Sequence, residues 1–492
     1  MKVNISKGWT PDYSPLAMPD GGLVVCKNVV PLDEYYAPMP DKLQLISTVL
    51  DGTPLAARCF RSNNGNAYSL IGTTSKIYRV EINDTVTDVS IAGGYTAGTN
   101  AWNFAQYGEW IVATDYANDI QVLKAFSSGA ACAALGGTPP KCKYVLIHSG
   151  YLILAYLNDG TVYPKKLQWS AHESIEDFTA SLTTGSDSQD LADADGEITG
   201  LAHIGSNFGI FHQNSITLGV FSGGAYTFSF LQNAVKDIGA LPGSVISIGV
   251  KVFFWSDRDI YEWSGVGDPT PIGAGVKNAV LQNLYVASSK YRITAAHDPN
   301  RGLVFWSYAS TSGTGTPDKI LCYNYRARIF SLIDLTTHCI WVHVTGAVEM
   351  DAADTTYPIV DDMPYDMDSS LYQANTYVLS CVDGDDKTMA TFVGAALMGV
   401  VETGDIATSD GKIAHIRRVR PIVHNAVTAP SVRVGTKMNE NESVSYSLPR
   451  AVGSNGFSDV RKSGRYVRFE LTTGNHSGIT SMDVEVVETG LR

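Results

Sequence analysis

Along most of the chain, short apolar runs and polar breaks alternate in a unit that repeats. In VFFWSDRDIYEWSG (252–265) a hydrophobic run meets a polar break and is followed by an aromatic-rich run. The same arrangement recurs in AYSLIGTTSKIYRV (67–80), EWIVATDYANDIQVL (109–123), GYLILAYLNDGTVYPKKLQWS (150–170) and NFGIFHQNSITLGVF (207–221). It returns in RGLVFWSYASTSGTGTPDKILCYNY (301–325) and TYVLSCVDGDDKTMATF (376–392). Each unit reads as a hairpin. The residues that close the first runs are Gly72, Thr114, Tyr156, His212, Ser256, Ser307 and Cys381. Most steps between them fall in or near a period of about 40–50 residues, the spacing of propeller blades. The longest step precedes the last unit and marks an insertion.

One hairpin is marginal in water. Four-stranded blades set around an axis bury both faces and leave only short edges. That burial accounts for first runs that are nearly continuous rather than alternating. The expected fold is all-β: a β-propeller of six or seven irregular blades over residues 51–395. Neither a recurring WD dipeptide with a GH partner nor an S-x-D-x-G-x-T-W box is present. Helical signals are confined to a short helix in 275–285 and a helical turn in 174–182. Residues 310–318 read as a flexible hairpin tip.

The two ends differ from the body. Residues 1–50 carry no blade pattern. Their Pro- and Gly-rich MPDGGLVVCKNVVPLDEYYAPMPDK (18–42) predicts an extended segment along the body. Beyond 396, HIRRVRPIVHN, PSVRVGTKMN, GRYVRFELTT and MDVEVVE alternate with period two, the mark of strands with one buried face. A C-terminal β-sheet or sandwich domain is expected over 396–492. Its many arginines include Arg417, Arg418, Arg420 and Arg465, candidates for a docking face toward an acidic partner or simply solvent-facing strand residues.

Composition narrows the function. Of 492 residues, 44% are apolar and 17% charged, enough for a large core. The net charge of −13 removes the electrostatic term that drives non-specific nucleic-acid binding. Such a chain would not grip DNA, although it could line a passage through which DNA slides. The N-terminus has no apolar signal core and no run of about 18 apolar residues occurs, so synthesis in the cytoplasm without membrane insertion is expected. Seven scattered cysteines show no metal spacing and read as free thiols, with Cys132 and Cys142 spaced to close a loop.

No nucleophile elbow, phosphate-binding loop or paired-histidine metal motif appears. SDSQDLADADGE (186–197) fails the EF-hand pattern at both ends, so it reads as a solvated loop rather than a calcium site. From Glu349 to Asp386 there are ten carboxylates and no Lys or Arg. Within this insertion Asp361, Asp362, Asp366 and Asp368 are candidates for an acidic, channel-facing loop, against the plainer reading of a solvated one. Asp257 and Asp259 read as turn residues. No catalytic, cofactor or metal site is expected.

Four stretches carry a resemblance. They are KGWTPDYSPLAMPDGGLVVCKNVVPLDEYYAPMPD near the start, GTPPKCKYVLIHSGYLILAYLNDGTVYPKKLQWSAHESIEDF, GEITGLAHIGSNFGIFHQNSI, and DVRKSGRYVRFEL near the end. In the second, Trp169, Ser170, Asp177 and Phe178 form a W-S followed by a D-F turn. Together these resemble the tail nozzle, or tail hub, proteins of short-tailed bacteriophages, including the packaged-DNA stabilisation proteins. The resemblance implies a non-enzymatic virion protein assembled as a ring, a homohexamer, below the portal and adaptor. Such a ring continues the DNA channel, retains the genome and carries fibres, spikes or a needle. Double-stranded DNA would pass without specific binding, repelled by an acidic lumen. The rival readings are a glycan-binding or glycan-cleaving propeller of a phage tail, and a cellular propeller scaffold.

Overall fold

A computed structural model describes residues 1–63, 65–81, 84–125, 129–224, 226–285, 292–345, 376–407 and 412–489. Among these, seven four-stranded antiparallel blades span 54–88, 103–134, 141–190, 198–236, 246–271, 294–334 and 337–391. They are numbered blades 1 to 7 below. Each closing residue of the repeat, from Gly72 to Cys381, lies in or directly after the second strand of its own blade. Those second strands are sealed on both faces: every residue of Ala67–Thr73 and of Leu303–Tyr308 is buried. Outer strands such as Asp187–Asp190 are mostly exposed.

The ring of blades is closed by the N-terminal segment. Blade 7 supplies Thr337–Val344, Tyr377–Asp383 and Met389–Thr391, and its fourth strand is Leu43–Gln44. Lys42, beside this strand, places its Nζ 2.8 Å from Asp383 and 3.4 Å from Asp385. The DGDD turn is therefore partly neutralised by the strand that closes the propeller.

Neighbouring blades are tied at the axis by bonds that need no sheet pairing. The Arg58 guanidinium donates to Phe104 O at 2.9 Å, and Val145 N donates to Asn103 Oδ1 at 2.9 Å. Ser247 Oγ donates to His203 O at 2.6 Å, Ile340 N to Thr294 Oγ1 at 3.1 Å, and Trp341 Nε1 to Ser69 Oγ at 2.9 Å. Between blades 5 and 6 the backbones close directly. Gly243 sits at φ +80°, and a Cβ there would lie 2.0 Å from Ile293 O. Only glycine meets both the left-handed conformation and that approach.

Both chain ends build a sandwich against blades 5 and 6. In one sheet, Gly22–Lys27 lies between Ile329–Asp334, the outer strand of blade 6, and Gly399–Thr403. Tyr466–Thr473 and Ser431–Lys437 continue that sheet. The other sheet orders Val29–Pro31, Tyr36–Pro38, Gly478–Thr489, Ile413–His424 and Ser458–Gly464. Lys2–Asn4 pairs with Gly478–Thr489 as well, and the terminal amine of Met1 donates to Val484 O at 2.7 Å. The segment 1–50 is thus extended, but as strands shared between the sandwich and blade 7. Burial alternates strictly along Tyr466–Thr473, as the period-two pattern requires. One hydrophobic cluster runs from Trp255 and Trp306 of the propeller through Leu23 to Phe469 and Met482 of the sandwich.

The short helix is Lys277–Leu281, and its first turn is capped from a distance. Asp12 accepts from Asn278 N and Ala279 N, both at 2.8 Å, offsetting orphan donors and the positive end of the dipole. Residues 174–182 hold turns and irregular backbone, with no helix. All seven cysteines are free, so Cys132 and Cys142 form no loop-closing bridge.

Candidate functional site: the central cavity

The first strands of the seven blades line a central cavity of about 840 Å³. Its described lining contains Arg58, Arg61, Lys143, His203 and His297 and no carboxylate. In a chain of net charge −13, that segregation sets the described lining apart from the overall composition.

The basic groups differ in how they are satisfied. Arg61 lies 5.5 Å from the Tyr377 ring and donates to its hydroxyl at 3.3 Å. Lys143 sits 3.4 Å from the centre of the Tyr156 ring, with Glu197 4.0 Å away. Burial lowers its pKa, partly countered by Glu197. His297 Nε2 is 3.3 Å from the Tyr325 hydroxyl, and burial lowers its pKa against the pull of neighbouring Asp298. Arg58 makes the bond to Phe104 O and lies 5.7 Å from the Phe60 ring, with no ion pair among the described residues. Its side chain is open to the cavity yet walled in by protein, and that desolvation lowers its pKa.

His203 and His148 meet with their Nδ1 atoms 3.5 Å apart. Burial and then the Arg58 charge push His203 below the ordinary imidazole range. Burial and then His203 push His148 down to about 4. Which ring donates in this contact depends on the tautomers the two imidazoles adopt.

The residues singled out in the sequence are placed elsewhere. Asp361, Asp362, Asp366 and Asp368 lie outside the described residues. Arg417, Arg418 and Arg420 gather on Ile413–His424, while Arg465 lies in the turn after Ser458–Gly464, toward the other end of the shared ladder. A bulge between Ile416 and Arg418 sets two arginines against one partner carboxylate. Arg417 is 3.6 Å from Glu485, and Arg418 hydrogen-bonds the same group. Arg418 and Arg420 also lie over the Phe457 ring, at 4.3 and 5.7 Å. This arginine face is partly neutralised and braced by stacking.

Asp259, in the turn of the 252–265 hairpin, is structural. It is buried, accepts from Ile260 N and Gly273 N, and pairs with Lys277 at 3.1 Å. The acids of 186–197 are dispersed, with Asp187 and Asp190 on the outer strand of blade 3 and Asp195 turned toward Asn214 and Ser215. Among the described residues no group of three or more His, Cys, Asp or Glu could hold a metal ion.

The sequence reading missed Arg58 and His203. Each looks like an ordinary strand residue until the innermost strands are assigned. The available signal was a basic residue on the first strand of several units: Arg58, Lys143, His203 and His297.

The architecture makes this chain an all-β, seven-bladed propeller with an appended β-sandwich. No family model matches the sequence, and no curated protein matches it. Among solved structures, the chain is similar to the β-propeller domain of Myceliophteria thermophila Cps50 (Swd1). That match has 10% identity and a TM-score of 0.41, and covers 71% of this chain and 99% of that one. It is also similar to YCF48 bound to D1 peptide, with 8% identity, a TM-score of 0.39 and coverage of 77% and 99%. A chain of a mitotic checkpoint complex gives 10%, 0.39, and coverage of 72% and 95%.

Proposed function

We propose that the chain is a non-enzymatic structural subunit of the tail nozzle of a short-tailed phage virion, assembled as a homohexameric ring. The observation that carries this reading is the fusion of propeller and sandwich. One hydrophobic cluster and one continuous sheet join them, and both chain ends are locked into that junction. Such a protomer suits transmitting load without hinging. The reading takes its function from the sequence resemblance to nozzle proteins, and the fused architecture is compatible with it.

Exposed apolar side chains support subunit contacts. Leu182 is 92% exposed and Tyr226 80%, on two loops tied by Thr227 Oγ1 donating to Gly185 O at 2.7 Å. Leu231, at the edge of the same blade as Tyr226, is 61% exposed. Large apolar groups exposed together mark interaction surfaces, and here the occupant is the neighbouring subunit. The portal and adaptor assembly above, and fibres, spikes or a needle beside it, complete the set of partners, with DNA passing unbound. Negative-stain imaging of the purified full-length chain tests the reading. Six-fold rings support it; single particles that cleave or bind polysaccharide would replace it with the glycan-directed alternative.

A further inference from the structure

We propose that the central cavity is a binding site for a small organic phosphate, with Arg58 as the anchoring group and His203 as its companion. The site is distinct from any lumen formed by a ring of subunits, because it lies on the axis of a single propeller.

Three observations converge. First, the described lining holds five basic side chains and no acidic one, inside an acidic chain. Second, the other four basic groups already have aromatic, hydroxyl, imidazole or carboxylate neighbours within the protein, as described above. Arg58 is the exception: it offers a five-donor fork, and its one hydrogen bond here goes to Phe104 O. The fork is exposed where it lines the cavity, so an oxyanion there can accept from donors not used by Phe104 O. The planar fork favours tetrahedral oxyanions with two oxygens to present. Third, His203 lines the same cavity as Arg58.

The size argues for an organic group on the phosphate. About 840 Å³ lies within the range of small-molecule sites and far exceeds one inorganic anion. The remaining wall is largely apolar, with Leu146, Leu201, Val245 and Ile340 among its residues. Among the described residues, carboxylates near the site include Glu197, beside Lys143, and Asp298, beside His297. Neither lines the cavity.

The test uses the purified full-length chain in chloride buffer, with inorganic phosphate and phenyl phosphate as probes. Calorimetric titration is expected to show one site per chain, with phenyl phosphate binding more tightly than phosphate. Thermal unfolding should shift upward with either probe. Arg58→Met should weaken binding about tenfold or more and lose most of the phosphate-dependent rise in melting temperature. Arg58→Lys, which keeps the charge and loses the fork, should fall between. His203→Asn should weaken binding with little change in chloride stability. Absence of binding by the unaltered chain would overturn the proposal, as would undiminished binding by Arg58→Met. It would equally be overturned if Arg58→Met lowered the melting temperature in chloride as much as in phosphate, since Arg58 would then be only a strut between blades 1 and 2. None of these outcomes depends on whether the chain forms six-fold rings.

Discussion

At the scale of single residues, charge is buried within one sheet of the sandwich, among the strands around Tyr466–Thr473. Asp405 is almost fully buried, with Lys437 Nζ 2.7 Å from one carboxylate oxygen and Arg468 Nε hydrogen-bonded to the other. Arg468 also reaches Glu402 at 3.7 Å, and Glu402 accepts from the Tyr446 hydroxyl. Removing one partner strands the others in low dielectric, which costs about 3–5 kcal/mol. Asp405→Ala is therefore expected to lower unfolding stability by about that amount, measured by denaturant titration. Burial alone would raise the Asp405 pKa, but hydrogen bonds from Arg468 and Lys437 outweigh it and the net direction is down. A carboxylate depressed on folding stabilises above its unfolded pKa and loses that contribution as pH falls through the folded one. The Asp405 contribution should thus hold at neutral pH and fade only below about 3.8, its unperturbed value.

At the scale of elements, the blade unit was legible because burial on both faces leaves an unmistakable trace. Second strands such as Tyr151–Asn158 and Leu303–Tyr308 must be apolar almost throughout, and their spacing pointed to six or seven blades, of which the structure has seven among the described residues. The closing strand left no such trace. Leu43–Gln44 is two residues long and half-exposed, and its place is fixed by Ala390 and Thr391 far along the chain. The cavity was hidden for a related reason: a strand's own pattern does not say which edge faces the axis. Lys42 supplies a test of the closure. Lys42→Met removes its bonds to Asp383 and Asp385 and leaves those acids facing each other. Amide exchange in Met389–Thr391 should quicken by about tenfold or more, matching a local loss of about 1.4 kcal/mol or more. Blades 3 and 4 should be unaffected, so equal quickening in all blades would contradict a local closure role.

At the scale of the whole molecule, buried histidines link stability to pH. His212, His338 and His343 are each pushed down to about 4, with burial the first cause. His338 Nδ1 lies 2.9 Å from an Arg292 donor and His343 Nδ1 2.9 Å from Ser69 Oγ, contacts that suit a neutral ring. The unfolded chain takes up protons on these groups near 6.5, while the folded chain resists until about 4. Stability is therefore present above pH 6.5 and drains away as pH falls toward 4. The melting temperature should drop through that window, before Asp405 begins to titrate. A flat profile from pH 7 to 4 would show that these rings are not buried neutral in the folded chain.

The shared core of propeller and sandwich also predicts a single cooperative unfolding transition, because neither part keeps its apolar face covered without the other. The central claim is that this rigid protomer exists to be one part of a closed ring. Native mass spectrometry of the purified full-length chain at micromolar concentration reads it most directly. Six copies are expected, reduced to one by Leu182→Asp combined with Tyr226→Asp. A chain that remains a single copy under all conditions would contradict the account.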